Sequence, residues 1–203
     1  MITVSHLTKT YGRRTVVDDL SFQLAAGRIT GFVGPNGAGK STTMRMMVGL
    51  ARPDSGSVTY GGVHYADLPD PSRTMGVVLD ARAVHPGRSA GNHLAAMAAL
   101  AGLPAHRVDE VLHLVGLDEA AGQRVGGFSL GMRQRLAIAG ALLGDPEVLM
   151  LDEPANGLDP SITTESCSSS FGGSASVTST ERSLPLRRTP SSTVSPKAAV
   201  EMR

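Results

Sequence analysis

The chain has 203 residues, 41% hydrophobic, 18% charged and 3% aromatic, with no Trp: enough apolar material for one domain plus an appendage, which excludes wholesale disorder. A formal net charge of +1 gives no bulk electrostatic case for nucleic acid or an anionic membrane, and the single Cys167 excludes both a disulfide framework and a cysteine-built zinc site. No apolar run approaches the ~20 residues of a membrane span, and the N-terminal MITVSHLTKTYGRR is polar where a signal peptide carries its apolar stretch. The expectation is a soluble, cytoplasmic chain with no membrane span of its own.

In chain order, Ile2–Leu7 and Val16–Leu24 alternate apolar and polar residues as short strands of an open sheet do. Arg28–Val33 is a short apolar run entering a glycine-rich turn, and Lys40–Leu50 then has helical character. Arg52-Pro53-Asp54-Ser55-Gly56 is turn chemistry. Met75–Leu79 reads as a buried strand. Asn92–Ala101 and Ala105–Val115 read as helices parted by Gly102-Leu103-Pro104, and Leu130–Leu143 as another helix. Glu147–Leu151 is a continuous apolar run bounded by Asp145-Pro146 and Asp152-Glu153. Strands alternating with helices predict an α/β fold with a mostly parallel sheet. No internal repeat is visible.

Three stretches carry chemistry. Gly34-Pro35-Asn36-Gly37-Ala38-Gly39-Lys40-Ser41 fits the phosphate-loop pattern G-x-x-x-x-G-K-[ST]. Its glycines let backbone N–H groups turn inward around phosphate oxygens, and the helix that follows adds unpaired donors and the positive end of its dipole. Lys40 is the candidate for the β- and γ-phosphates and Ser41 for Mg²⁺, with Thr42 beside them. By itself the pattern is also a glycine turn with an exposed lysine; a strand before it and a helix after it select the phosphate reading. Downstream, the strand Val148–Leu151 ends in Asp152 and Glu153. At the carboxyl end of a parallel strand, Asp152 is placed to hold Mg²⁺ and Glu153 to polarise an attacking water as general base.

Between these lies Phe128-Ser129-Leu130-Gly131-Met132-Arg133-Gln134-Arg135. Its plainest reading is a helix N-terminus capped by Ser129, with Arg133 and Arg135 on a solvated face. In this position, however, it resembles the signature motif of ABC-type ATPases, in an S-x-G-M-x-Q-R variant similar to drug- and antibiotic-export cassettes. Tyr11, in KTYGRR, stands where that family stacks an aromatic ring on adenine, and Asn156-Gly157-Leu158-Asp159 resembles its D-loop.

The resemblance covers residues 1–160. It implies a P-loop NTPase core with a helical subdomain at roughly residues 85–130, binding ATP and Mg²⁺. It further implies two cassettes paired head to tail, each ATP held between the phosphate loop of one and Ser129 and Gly131 of the other. The helical subdomain would dock on a separate transmembrane permease, placing the chain at the inner face of the cell membrane as the ATPase of an efflux system, with antibiotic resistance as one such role. A soluble ABC-type ATPase acting on ribosomes or DNA is the competing class; a single cassette without a long helical arm or basic patch argues against it.

Two departures stand out. Where the family commonly has Gln after the strand MGVVL, this chain has Asp80, still an oxygen donor for Mg²⁺ or water. More seriously, the family continues past the D-loop to a buried strand ending in a catalytic histidine, whereas here the final histidine is His113. After Pro160 the composition changes: 12 of the chain's 20 serines fall in residues 161–203, with no apolar periodicity. Such a switch is what translation in another reading frame produces, a genuine divergent tail being the alternative, and the expectation is an irregular tail. Since the resemblance makes the missing strand central, between the strand feeding Lys40 and the one ending at Asp152, a vacancy there would leave backbone groups of both neighbours unpaired, each costing about 1–3 kcal/mol, unless the two strands close up and alter the site. A hydrolysis-deficient nucleotide-binding remnant is therefore the second functional reading. His85, His93, His106 and His113 show no metal-ligand spacing, and His106 and His113, seven apart and able to share a helix face, read as surface decoration.

Overall fold

The computed structural model describes residues 1–81, 83–152 and 199–202. Its elements begin with β1 (Ile2–Tyr11), β2 (Arg14–Leu24), β3 (Ile29–Gly31), α1 (Lys40–Met47), β4 (Ser55–Tyr60), α2 (Pro71–Thr74) and β5 (Met75–Val78). They continue with α3 (Ala90–Leu100), α4 (His106–Leu114), α5 (Leu130–Leu142), β6 (Val148–Leu151) and β7 (Ala199–Met202). Two compact units result, one holding Met1–Pro71 with β7, the other running from Ser72 through β6. Glu153, the Asn156–Asp159 stretch, Cys167 and the change of composition after Pro160 lie outside the described residues.

In the first unit, β1 is the centre of an antiparallel sheet ordered β2-β1-β4. Ile2 and Val4 are buried with the two-residue period of a strand. Continued unbroken, that period would turn His6 inward. A register shift between Val4 and Leu7, with His6 at φ +50°, instead exposes His6 and buries Leu7 completely. β4 begins inside the stretch read as a turn; Gly56 is obligatory there, since its φ is +83° and a Cβ would lie 2.2 Å from the His6 carbonyl oxygen. Tyr60, buried at the end of β4, donates its hydroxyl to the Met47 carbonyl at 2.7 Å, tying the sheet to the end of α1.

β3 pairs antiparallel with β7, Thr30 opposite Val200 and Gly31 opposite Ala199. This corrects two expectations: the tail is not irregular throughout, and the strand feeding Lys40 is not left unpaired. Backbone hydrogen bonding asks little of sequence, so four residues without apolar periodicity still satisfy a strand edge.

The second unit holds the parallel pair, β5 beside β6, with Gly76 opposite Leu149 and Val78 opposite Leu151. The parallel expectation holds for this pair, while β1–β2, β1–β4 and β3–β7 pair antiparallel. Gly76 lets α5 pack close: a Cβ there would sit 2.2 Å from the Ala141 carbonyl oxygen. Helices α3, α4 and α5 bury Leu94, Val111, Leu117 and Leu136 in one cluster. The first two end as sequence chemistry requires. Gly102 at φ +65° and Gly116 at φ +64° allow the N–H groups of Leu103 and Leu117 to reach back to the carbonyls of Ala98 and Leu112, at 2.8 and 2.9 Å.

Candidate functional site

β3 delivers the chain into the phosphate loop. The Ala38 N–H donates to the Pro35 carbonyl at 3.1 Å, closing a turn in which Pro35, Asn36 and Gly37 are exposed. Gly37 and Gly39 adopt φ of +83° and +84°, the left-handed region that glycine enters without steric cost. The loop then runs straight into α1, where the Gly39 carbonyl accepts both the N–H and the hydroxyl of Thr43, at 2.8 and 3.0 Å. Gly34 and Ala38 are half-buried and pack together, a Cβ on Gly34 lying 3.4 Å from that of Ala38.

Lys40, the first residue of α1, is only 7% exposed. A buried ammonium needs partners, and it donates to the carbonyls of Gly34 at 2.7 Å and Pro35 at 2.9 Å, inside its own loop. Ser41 is exposed on the same first turn and Thr42 half-buried. A second cation borders the loop: a Cβ on Gly37 would come within 3.6 Å of Arg14 Nη2.

Tyr11 ends β1 and pairs with Arg14 across the Gly12-Arg13 turn. It is 52% exposed, and the Lys9 ammonium lies 5.4 Å from its ring centroid. That ammonium also donates to Asp54 Oδ1 at 2.9 Å and to the Arg52 carbonyl at 2.7 Å, while the Thr10 N–H donates to Asp54 Oδ2 at 2.7 Å. The Lys9 hydrogen bond first, then the Thr10 amide, hold the Asp54 carboxyl below its ordinary range. Neither Lys9 nor Asp54 stands out in the sequence, because the residues that meet are more than forty positions apart.

In the second unit, the Asp152 N–H donates to the Val78 carbonyl at 2.8 Å, fixing the residue at the end of the parallel pair. Its Oδ1 is buried and has no hydrogen-bond partner among the described residues. A buried carboxylate oxygen without a donor is costly, and a hard cation relieves that cost. Oxygen donors of this kind fit Mg²⁺, which takes few protein ligands. Asp80 is exposed two residues beyond β5, its carbonyl accepting the Ala83 N–H at 3.3 Å. Among the described residues no group of three or more His, Cys, Asp or Glu is arranged to hold a metal by itself.

Ser129 is the N-cap of α5, its hydroxyl accepting the Met132 N–H at 3.2 Å, and Gly131 follows half-buried in the first turn. The plainer reading of this stretch, with Arg133 and Arg135 on a solvated face, does not hold for either side chain. Arg133 donates to the Gly126 carbonyl at 3.2 Å, and Arg135 to the carbonyls of Val115 and Gly116 at 3.2 and 3.0 Å, clasping the end of α4. Arg107 does the same for α5, reaching the Leu142 and Leu143 carbonyls at 2.9 and 3.0 Å. His85 is an exposed turn residue, while His106 and His113 are exposed beside Glu110 and Asp118. His93 differs: its Nδ1 is buried without a hydrogen-bond partner among the described residues, and burial, then the Arg88 charge, lowers its pKa.

Among the described residues no helix is long and apolar enough to cross a membrane. The model of the ABC transporter family matches residues 17–156. The bacitracin transport ATP-binding protein of Bacillus licheniformis is 43% identical over 162 residues, 79% of this chain and 53% of that protein. The lantibiotic transport ATP-binding protein of Streptococcus pyogenes is 36% identical over 162 residues, 79% of this chain and 69% of that protein. The chain thus spans about half the length of the first and about two thirds of the second. A bacterial ABC transporter cassette solved as a dimer superposes with a TM-score of 0.72 at 26% identity, covering 82% of this chain and 79% of that one. The phosphate loop, the strand ending at Asp152 and the capped helix at Ser129 all fall within the matched span. This chain belongs to the ABC transporter family.

Proposed function

We propose that the chain is the ATP-binding subunit of a bacterial exporter, which binds Mg-ATP, pairs with a second cassette and couples hydrolysis to export through a separate permease. The observation that carries this reading is Lys40: a nearly buried ammonium held inside a glycine loop by two of that loop's own carbonyls. Phosphate oxygens entering the loop exchange those neutral acceptors for anionic ones, and charge-assisted bonds are the stronger. The backbone N–H groups at the start of α1 add donors, and Arg14 adds a second positive charge at the rim. The names of the bacitracin and lantibiotic transport relatives support transport as the purpose.

Ser41 and Asp152, with Asp80, are the oxygen donors that would hold Mg²⁺, which when bound neutralises charge on the β- and γ-phosphates. Glu153, outside the described residues, is assigned the water-polarising role. Ser129 and Gly131 begin a 13-residue helix, whose N-terminal amides suit the γ-phosphate of ATP on the partner cassette. The dimeric structural relative supports that pairing. The helical part, about residues 85–130, is the surface assigned to the permease, which would bring the chain to the inner face of the membrane.

Titration of the full chain with Mg-ATP tests the core of the reading. Lys40→Ala is expected to weaken binding by roughly 100-fold or more, the loss of more than one charge-assisted bond; unchanged affinity overturns the site. A second reading rests on the final histidine being His113: the chain holds ATP without hydrolysing it. Phosphate release abolished by Lys40→Ala supports the first reading, and tight ATP binding without phosphate release supports the second.

A further inference from the structure

We propose that Lys9 and Asp54 form a clamp that positions Tyr11 for the adenine base, an inference that rests on the nucleotide reading above. Strand pairing at this end of β1 is irregular, because the register against β2 shifts between Leu7 and Lys9 and again between Lys9 and Thr10. The Asp54 carboxylate makes up for it. One oxygen takes the Thr10 amide at 2.7 Å, the other the Lys9 ammonium at 2.9 Å, and the Asp54 N–H returns to the Thr8 carbonyl at 2.9 Å. The Lys9 side chain is 15% exposed, and a third contact, to the Arg52 carbonyl at 2.7 Å, fixes its ammonium where it meets the Tyr11 ring.

The consequence is preorganisation. Tyr11 ends β1 beside a two-residue turn and is half exposed, so without a partner its ring would sample several rotamers and lose that freedom on binding. A cation 5.4 Å from the ring centroid restricts the ring before any base arrives. Lys9 and Asp54 thus act through Tyr11 as positioning residues and touch no reacting atom. The clamp serves only a ligand with a base, which separates its effect from that of the phosphate loop.

The test compares Mg-ATP with inorganic tripolyphosphate and Mg²⁺ on the full chain. Lys9→Met is expected to weaken Mg-ATP binding about three- to tenfold, the scale of a partly desolvated cation–π contact, and to leave tripolyphosphate binding unchanged. Lys9→Arg restores most of the affinity, and Lys9→Met has no further effect in a Tyr11→Ala background. Asp54→Asn is expected to act in the same direction and serves if Lys9→Met melts early. Equal losses for both ligands, or independent effects of Lys9→Met and Tyr11→Ala, overturn the clamp. If Tyr11→Ala weakens Mg-ATP but Lys9→Met does not, the clamp fails and the adenine site stands. If Tyr11→Ala leaves Mg-ATP affinity unchanged, the adenine reading fails and takes the clamp with it.

Discussion

A Cβ on Gly39 would lie 2.4 Å from the carbonyl oxygen of Val16, so the phosphate loop closes directly against the backbone of β2. The glycine is needed twice over, for that approach and for its φ of +84°. Gly39→Ala is therefore expected to destabilise the fold by about 1–3 kcal/mol and to remove nucleotide binding. Gly12→Ala is the comparison: its φ is +60° but nothing lies within 4 Å of the added Cβ. It should cost only the left-handed strain, about 1–2 kcal/mol, and leave the loop intact. Thermal melting with Mg-ATP titration separates the two, and equal nucleotide affinity in both variants would refute the close-approach argument.

Arg107 supplies donors to the two carbonyls at the end of α5 and pairs with Glu110 one turn along its own helix. Removing the guanidinium leaves those carbonyls without it. Arg107→Met is expected to lower stability by about 1–2 kcal/mol, after allowing for partial exposure, with Arg107→Lys falling between. Denaturant unfolding of the three proteins measures the order.

The lowered pKa of His93 has a definite sign. Burial, then the charge of Arg88, moves the folded value below the ordinary 6.5. Between the folded and unfolded values the unfolded chain binds the extra proton, so this contribution to stability falls as pH drops below 6.5 and is fully lost below the folded pKa. His93→Gln should flatten the stability profile just below pH 6.5. Denaturant midpoints across that range provide the check, and an unaltered slope would show that His93 does not set it.

Deleting residues 199–203 removes the partner of β3 and opens a strand edge immediately before the phosphate loop. Amide exchange at Ile29–Gly31 is expected to accelerate and the chain to aggregate more readily. Exchange rates unchanged by the deletion would mean that the pairing contributes nothing to the loop's support.

The phosphate loop, the acidic strand end and the start of α5 were legible because each is a contiguous run whose chemistry is set by neighbours in sequence. Glycines at Gly37 and Gly39 announce left-handed backbone, Ser129 announces a helix start, and the apolar run before Asp152 announces a buried strand. The helix boundaries came within a few residues for the same reason, as Gly102 and Gly116 show.

What no periodicity displayed was anything requiring two distant segments to meet. Asp54 looked like a turn residue until β1 and β4 brought it to Lys9 and Thr10. Arg135 looked like a solvated charge, and nothing in the sequence singled out Arg107, until α4 and α5 packed and each guanidinium met the other helix's terminal carbonyls. The tail strand was invisible because backbone pairing leaves little trace in side-chain pattern. Local steric preference is written residue by residue along the chain, while hydrogen-bond partnership across it exists only after the entropy of closing the intervening loop has been overcome.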